Sequence, residues 1–334
     1  MISAGRRETS EPVATLMSTA PEVSVVIPTY NRSALLRSTV ESVLDQNTHT
    51  TFEVVVIDNN SSDDTRDVVD SLIEQHPGKV RYVLERKQGN AHARNRGIEE
   101  ATAAIIAFVD DDVTVDKNWL TSLKTILDSR NDLSFVGGKV LPQWNGQPPS
   151  WLTADHWAPL ALLDYGANEL PISGKSPRGL LTANIAFQRS VFKEIGMFLP
   201  DLQRVKNMIG SMEDHEFLLR VCRSGKQGIY TPNMIAITHI DTERLTKSYH
   251  RRWHTGHGHF YAVLADPDWE RSRFRLGGVP SHLLKETATN ALIWLSKMLT
   301  GNTDAAFVNE CRLRFFSGFF RQRRRHPSSS TNPA

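Results

Sequence analysis

The sequence is poor in cysteine and contains no long apolar run. Its 334 residues include two cysteines, Cys222 and Cys311, too few for a disulfide framework or a thiolate zinc site. Both stand among apolar neighbours, so we expect small core residues in a reducing compartment. The longest apolar run, residues 103–109, is too short to cross a bilayer. No apolar stretch follows Arg6 and Arg7, so we expect no signal peptide.

The sequence also has little net charge and lacks two phosphate-binding motifs. It carries 39 Lys and Arg against 37 Asp and Glu, a formal net charge of +2, so no nucleic-acid partner is expected. No G-x-G-x-x-G turn follows the first predicted strand, and no G-x-x-x-x-G-K-[ST] loop occurs. These absences argue against a dinucleotide oxidoreductase and a P-loop nucleotidase. The composition, 40% hydrophobic and 23% charged, is that of a globular protein.

Short apolar strands alternate with amphipathic helices over the first part of the chain. Four strands are predicted, at residues 23–27, 52–57, 80–84 and 103–109. Four helices are predicted, beginning at Ser33, at Asp63, at Gly89 and around Leu120. This alternation predicts an α/β fold with a doubly wound, mostly parallel sheet flanked by helices. Ligands of such folds bind at the carboxyl ends of the strands.

Three consecutive aspartates, Asp110, Asp111 and Asp112, follow the fourth predicted strand. Carboxylates this close repel one another unless a cation is present. Their hard oxygen atoms suit Mg²⁺ or Mn²⁺ bound to a substrate phosphate. The other interpretation is an acidic cluster at the start of the helix after Asp116, where the helix dipole favours negative charge.

Two later features also have two interpretations each. Residues 213–216, Glu-Asp-His-Glu, open a predicted helix. A carboxylate there is either a base that takes a proton from a hydroxyl nucleophile or part of a solvated first turn. His239 ends a short strand predicted at 235–238. It either adds one nitrogen ligand to a metal or is a structural histidine.

Taken in order, these motifs resemble the family 2 glycosyltransferases of the GT-A fold. The resemblance is carried by Val23–Arg32 (VSVVIPTYNR), Val54–Asp63 (VVVIDNNSSD), Gly89–Ile98 (GNAHARNRGI), Phe108–Asp112 (FVDDD), Glu213–Glu216 (EDHE) and His239. It covers roughly residues 22–260. It implies an inverting, hexosyltransferase-type enzyme of polysaccharide or cell-envelope biosynthesis. The donor would be a nucleotide sugar, with UDP as the expected nucleotide, and the acceptor a hydroxyl of a glycan or a lipid-linked sugar.

The resemblance also implies roles for single residues. The residues implied to bind the donor are Pro28, Thr29, Tyr30, Asp58, Arg94, Asp110 and Asp111. Asp112 and His239 would hold Mg²⁺ or Mn²⁺ on the diphosphate, which stabilises the leaving group. Asp214 matches the position of the general base, and Glu213 would either support it or touch the acceptor. One base suffices because inversion forms no covalent sugar–enzyme intermediate.

Two regions go beyond the family pattern. In the insert at 142–172, Trp144 and Trp151 could stack on acceptor sugar rings or anchor the loop to the core. Near residue 320, Phe315, Phe316, Phe319 and Phe320 precede Arg321, Arg323, Arg324 and Arg325. An aromatic face beside a basic cluster is typical of a helix bound at a membrane surface, and the alternative is a helix packed on the catalytic domain.

These features together predict the organisation of the chain. Residues 1–21 and 326–334 are predicted to be disordered, 22–242 to form the catalytic domain, and 243–325 a helical region. Within the catalytic domain, 22–115 would bind the nucleotide sugar and 116–242 the acceptor. The expected location is the cytoplasm or the cytoplasmic face of the inner membrane. Two other functions stay open: a sugar-phosphate nucleotidyltransferase, and a non-catalytic relative that binds sugar nucleotides.

Overall fold

The computed structural model describes residues 20–203, 209, 212–267 and 269–325. The two segments predicted to be disordered lie outside this range, except for Ala20 and Pro21. The strands are β1 (Val23–Thr29), β2 (Phe52–Asp58), β3 (Val80–Leu84), β4 (Ile105–Phe108), β5 (Val113–Val115), β6 (Leu133–Gln143), β7 (Leu170–Ile172), β8 (Ile185–Gln188), β9 (Gln227–His239), β10 (Arg275–Leu276) and β11 (Val279–Pro280). The helices are α1 (Ser33–Leu44), α2 (Thr65–Gln75), α3 (Asn90–Glu100), α4 (Trp119–Ser129), α5 (Ser190–Ile195), α6 (Glu213–Arg223), α7 (Lys247–Leu264), α8 (Ser281–Leu299) and α9 (Thr303–Arg325).

A mixed, mostly parallel sheet forms the centre of the molecule. Its order is β3-β2-β1-β4-β8-β6-β9-β5, with β7 also paired to β9. The strands β1 to β4 at one side run parallel, whereas β8 runs antiparallel to both of its neighbours. All seven residues of β1 are buried because apolar side chains cover the sheet on both faces. The predicted α/β architecture with a helical C-terminal region is confirmed.

The second half of the sheet differs from the expectation of a short strand at 235–238. That strand is the end of β9, which has 13 residues and pairs in parallel with β6. Thr231, Pro232 and Asn233 interrupt the apolar pattern, and the register of the pair shifts between Gly137 and Lys139. Such an irregularity hides a long strand from a reading of hydrophobic alternation.

The C-terminal helices α7, α8 and α9 pack closely on one another. A Cβ atom at Gly258 would lie 2.0 Å from the backbone oxygen of Phe315, and one at Gly318 would lie 1.9 Å from that of Thr255. Because glycine has no Cβ atom, the backbones of α7 and α9 can touch at Gly258 and Gly318, where the two helices cross. No helix in the described part of the chain is long and apolar enough to span a membrane.

The aromatic residues of α9 lie inside this helical region. Phe315, Phe316 and Phe319 are buried in one cluster, and Phe320 is partly buried against it. The aromatic face predicted to meet a membrane is therefore not available to one. The structure contains the alternative, a helix packed on the rest of the chain, because α7 and α8 cover those rings.

Candidate functional site

The candidate site lies at the carboxyl ends of neighbouring parallel strands. Thr29 ends β1, Asp58 ends β2, and the aspartate triplet follows β4. These three strands are adjacent in the sheet, so their ends meet at one edge. The structure thus brings together the side chains that the sequence placed at separate strand ends.

The first part of this edge is the end of β2, where Asp58 is held by two hydrogen bonds. Its carboxylate accepts hydrogen bonds from the Tyr82 hydroxyl at 2.7 Å and the Ser61 backbone N–H at 2.8 Å. Burial and the adjacent Asp58 raise the pKa of Tyr82 to about 12, so its hydroxyl stays a donor. Pro28 is buried within β1, whereas Tyr30 lies just beyond the strand with an exposed ring.

The three aspartates point to different partners. Asp111 turns inward, where its carboxylate accepts a hydrogen bond from the Thr29 hydroxyl at 2.8 Å. Burial raises the pKa of Asp111 to about 6 despite the positive charge of Arg32. Arg32 contacts Asp111 at 3.1 Å and Asp112 at 2.5 Å. The sequence reasoning missed Arg32, although it is the last residue of the Val23–Arg32 motif.

A buried ion-pair network joins the aspartates to α6. Arg94, on α3, donates to Asp110 at 3.2 Å and to Glu213 at 2.8 Å. Burial disfavours the charged guanidinium, but the carboxylates of Asp110 and Glu213 outweigh it and raise the pKa of Arg94. Both terminal nitrogens of the guanidinium donate to carboxylates, so Arg94 links the end of β4 to α6.

Asp214 stands in the first turn of α6, next to Glu213 in the chain. Its carboxylate accepts a hydrogen bond from the His215 backbone N–H at 2.8 Å. Burial raises the pKa of Asp214, partly offset by the charge of Arg94. A carboxylate with a raised pKa is a stronger base than a solvated one, which suits proton abstraction from a hydroxyl.

His239 ends β9 and lies beside Asp112, the last residue of the triplet. Its backbone N–H donates to the Asp112 carbonyl oxygen at 3.2 Å, because β5 and β9 pair antiparallel there. A cavity of about 420 Å³ opens next to it. The residues that line this cavity are Asn145, His239, Asp241, Thr242, Glu243, Arg244 and Tyr249.

The two tryptophans of the insert lie in different surroundings. Trp151 is enclosed by aromatic rings, with centroids 4.9 Å from His250 and 5.0 Å from Phe307. This packing matches the alternative of a loop anchor. Trp144 is partly buried against the main core and directly precedes Asn145 of the cavity.

Asp112 and His239 are the residues expected to hold a divalent cation. They are neighbours across the pairing of β5 with β9, and a carboxylate oxygen and an imidazole nitrogen are both ligand types that a cation such as Mn²⁺ accepts. Among the residues placed by the structure, no group of three or more His, Cys, Asp or Glu side chains could hold a metal.

Comparison with known proteins adds a family and relatives. The family model described as "Glycosyl transferase family 2" matches residues 24–196, about half of the chain. A glucosyl-dolichyl phosphate glucuronosyltransferase of Haloferax volcanii is 29% identical over 52% of this chain and 55% of its own length. A GalNAc(5)-diNAcBac-PP-undecaprenol beta-1,3-glucosyltransferase of Campylobacter jejuni is 34% identical over 38% of this chain and 40% of its own. The chain thus spans about half the length, or less, of these curated relatives.

Solved structures of low sequence identity share the fold. A mannosyltransferase of Pyrobaculum calidifontis in complex with GDP-Man and Mn²⁺ has a TM-score of 0.55 at 17% identity, over 88% of this chain and 86% of that one. Residues 1–349 of Staphylococcus aureus TarS in complex with UDP have a TM-score of 0.52 at 17% identity, over 90% and 91%. These likenesses confirm the GT-A fold. Since the family model covers half of the chain, including the strand ends that carry the aspartates, the chain belongs to glycosyl transferase family 2.

Proposed function

We propose that the chain is an inverting glycosyltransferase that moves a sugar from a nucleotide-sugar donor to a hydroxyl of a glycan or lipid-linked acceptor. The observation that carries the proposal is the buried network of Asp110, Arg94 and Glu213. This network links Asp110 to the first turn of α6, which supports the proposal that a donor site at the strand ends and a base at Asp214 would face one another. The two curated relatives are named for transfer to a dolichyl phosphate and an undecaprenol-linked glycan, which supports an acceptor of that class.

The donor would bind along the ends of β1, β2 and β4. Thr29 and Tyr30 would line the nucleoside. Asp58 would contact the base or ribose, and its carboxylate is held by hydrogen bonds from Tyr82 and Ser61. Asp110 would face the ribose. Asp111 would not contact the donor directly but would hold Thr29 and Arg32 in place. We propose UDP as the nucleotide, in line with the structural neighbour from Staphylococcus aureus that was solved in complex with UDP.

Asp112 and His239 would hold Mg²⁺ or Mn²⁺ against the diphosphate. Two structural neighbours were solved in complex with Mn²⁺, which supports a divalent cation here. When bound, the cation would stabilise the negative charge of the leaving diphosphate. Arg32 pairs with Asp112, so its guanidinium would have to leave that carboxylate or turn toward the phosphates when the cation binds.

Asp214 would take the proton from the acceptor hydroxyl as that oxygen attacks the anomeric carbon. Attack from the face opposite the diphosphate inverts the configuration, and no second nucleophile is needed. Glu213 would keep Asp214 in place through Arg94. The acceptor would enter through the cavity beside His239, where Trp144 is the proposed sugar-stacking residue.

We propose that the chain is divided into a catalytic domain and a helical region. Residues 22–242 would form the catalytic domain, with the donor half at 22–115 and the acceptor half at 116–242. The helical region at 243–325 would assist the acceptor side, because Arg244 and Tyr249 line the cavity.

Thermal-shift measurements with a panel of nucleotide sugars and Mn²⁺ test the proposal. Ligand binding raises the melting temperature by mass action, so the true donor gives the largest shift. We expect Asp112→Ala to lose the Mn²⁺-dependent part of this shift. Asp214→Asn should keep the shift but lose transfer by about 10³-fold. Loss of donor binding in Asp214→Asn, or full transfer in the presence of EDTA, would refute the base or the metal role respectively.

A further inference from the structure

The first turn of α8 packs Leu283 and Leu284 into the aromatic cluster of α9, whereas from Glu286 onward α8 contacts α9 through polar side chains. Arg312 of α9 donates to Glu286 at 2.6 Å, and Asn309 donates to Asn290 at 3.1 Å. The Lys297 ammonium donates to Asn309 at 2.9 Å. These contacts place the polar residues of α8 toward α9, the reverse of the usual arrangement of an amphipathic helix.

From Ala288 onward the apolar side of α8 consequently points away from the described part of the chain. Leu292, Leu295 and Leu299 follow one another at helical spacing and are 69%, 48% and 80% exposed. Ala288 lies on the same side one turn earlier and is also exposed. A continuous apolar stripe of this kind marks an interaction surface. We call it, together with the hairpin described next, the α8 surface.

The hairpin of β10 and β11, which directly precedes α8 in the chain, carries two more exposed apolar side chains. Phe274 and Leu276 are 72% and 66% exposed and stand at the hairpin. Arg271 and Arg273, in the same segment, are exposed as well. Large apolar side chains interleaved with arginines are typical of segments that enter a lipid headgroup region.

The end of α9 adds a basic cavity at the same end of the helical region. Arg323 of α9 and Arg275 of the hairpin both pair with Glu270, which holds the two segments together. A cavity of about 420 Å³ lies there on α9. Its lining consists of Ser317, Phe320, Arg321, Arg324 and Arg325.

Basic residues outnumber acidic ones in this region, since residues 269–325 contain eleven Lys and Arg and four Asp and Glu. Residues 311–325 contain six arginines and no Asp or Glu, and in 271–299 the one acidic residue is Glu286, which pairs with Arg312. The charge of this region therefore complements an anionic surface. A second copy of the chain would bring the same positive charge to the contact.

We propose that the α8 surface binds a bilayer that contains anionic lipids. The apolar side chains of α8 and the hairpin enter the acyl boundary, and the arginines contact lipid phosphates. This inference goes beyond the proposed function, since lipid binding requires neither a donor nor transfer. It replaces the aromatic face of α9 with a different face of the same helical region.

Vesicle co-sedimentation with the full chain tests the proposal. The wild-type protein should bind vesicles of phosphatidylcholine mixed with phosphatidylglycerol more tightly than vesicles of phosphatidylcholine alone, and added salt should weaken this binding. The double variant Leu292→Glu/Leu299→Glu should bind at least about tenfold more weakly, because two carboxylates replace the apolar side chains. Its matched control is Val263→Glu, which changes an exposed apolar residue of α7.

A second variant tests the charge independently of the leucines. Arg271→Gln/Arg273→Gln/Arg321→Gln should lose the preference for anionic vesicles, whereas Lys175→Gln/Lys193→Gln, at exposed sites elsewhere, should keep it. Absence of wild-type binding to anionic vesicles at low salt would overturn the proposal. So would a lipid-free dimer that Leu292→Glu/Leu299→Glu dissociates, seen by light scattering, because the stripe would then belong to a second copy.

Discussion

Among single residues, Arg32 changes the expectation for the aspartate triplet most. The sequence has three carboxylates at one strand end, and their mutual repulsion led us to expect a cation there. In the structure Arg32 contacts Asp111 at 3.1 Å and Asp112 at 2.5 Å, so its guanidinium balances part of the negative charge of the triplet. A pattern of adjacent aspartates could not reveal this, because Arg32 lies about 80 residues earlier and reaches the triplet only through the packing of β1 beside β4.

Removal of Arg32 should tighten the binding of Mn²⁺ to the free protein. In Arg32→Ala no guanidinium competes for the Asp112 carboxylate, so we expect the dissociation constant for Mn²⁺ to fall by about three- to tenfold. Electron paramagnetic resonance of free Mn²⁺, without nucleotide and above the pKa of Asp111, measures this directly. Arg37→Ala is the control, since Arg37 pairs with Glu41 on α1. Unchanged or weaker binding in Arg32→Ala would place the cation away from Asp112.

At the scale of elements, the site depends on how α3 and α6 are joined. The sequence predicted the start of α6 at Glu213, and the structure has it there. The sequence could not indicate that Arg94 would bridge Asp110 and Glu213, since these residues lie 16 and 119 positions from it in the chain. Arg94 was expected to touch the nucleotide, and its placement between two carboxylates leads us to propose a positioning role instead.

Weakening this link should impair both stability and catalysis. Glu213→Gln keeps the size of the side chain but leaves the buried Arg94 with one carboxylate fewer, which should cost about 1–3 kcal/mol of unfolding free energy. We expect kcat to fall because Asp214 loses its fixed position, while KM for the donor changes little. Urea denaturation and steady-state kinetics measure the two effects. The control is Glu99→Gln, whose exposed pair with Arg96 contributes little. A kcat equal to that of the wild type would show that Asp214 is held in some other way.

The helical region shows where periodicity succeeds and where it fails. The residues Leu284, Ala288, Ala291, Leu292, Leu295 and Leu299 recur in the sequence at helical spacing, and all of them lie on α8. Periodicity identifies the apolar side but does not determine which way it faces. On α9 the aromatic side is buried, and on α8 the apolar side is exposed, because polar pairs such as Glu286–Arg312 determine the packing.

For the whole molecule, the parallel half of the sheet was accessible to sequence reasoning and the antiparallel half was not. Buried parallel strands such as β1 and β2 are continuous apolar runs, which stand out in the sequence. In contrast, β8 inserts between β4 and β6 from far along the chain, and β9 is interrupted by polar residues. The sequence therefore placed Thr29, Asp58 and the aspartate triplet at strand ends, whereas it did not indicate the cavity beside His239.

The stability of the whole molecule should depend on pH through the buried histidines of α7. Burial lowers the pKa of His250 to about 4 and the pKa values of His254 and His257 to about 3. In the unfolded chain these groups titrate near their ordinary pKa of about 6.5. Between about pH 6.5 and pH 4 the unfolded state thus binds protons that the folded state does not. Stability is complete above that window and falls as the pH is lowered, by up to about 1.4 kcal/mol per pH unit for each histidine.

A single substitution can separate this effect from the titration of carboxylates. Asp111 acts in the opposite direction, since its pKa is raised to about 6 and its protonation favours the folded state as the pH falls. The test therefore compares the pH-dependent change in unfolding free energy between a variant and the wild type. Urea denaturation of His257→Gln at about pH 7 and about pH 5 should show a smaller loss of unfolding free energy than the wild type, by about 1–2 kcal/mol. The exposed His49 provides the control, as His49→Gln should keep the wild-type loss. If His257→Gln lost as much stability as the wild type, protonation of this histidine would not limit the acid stability of the packing of α7 on α9.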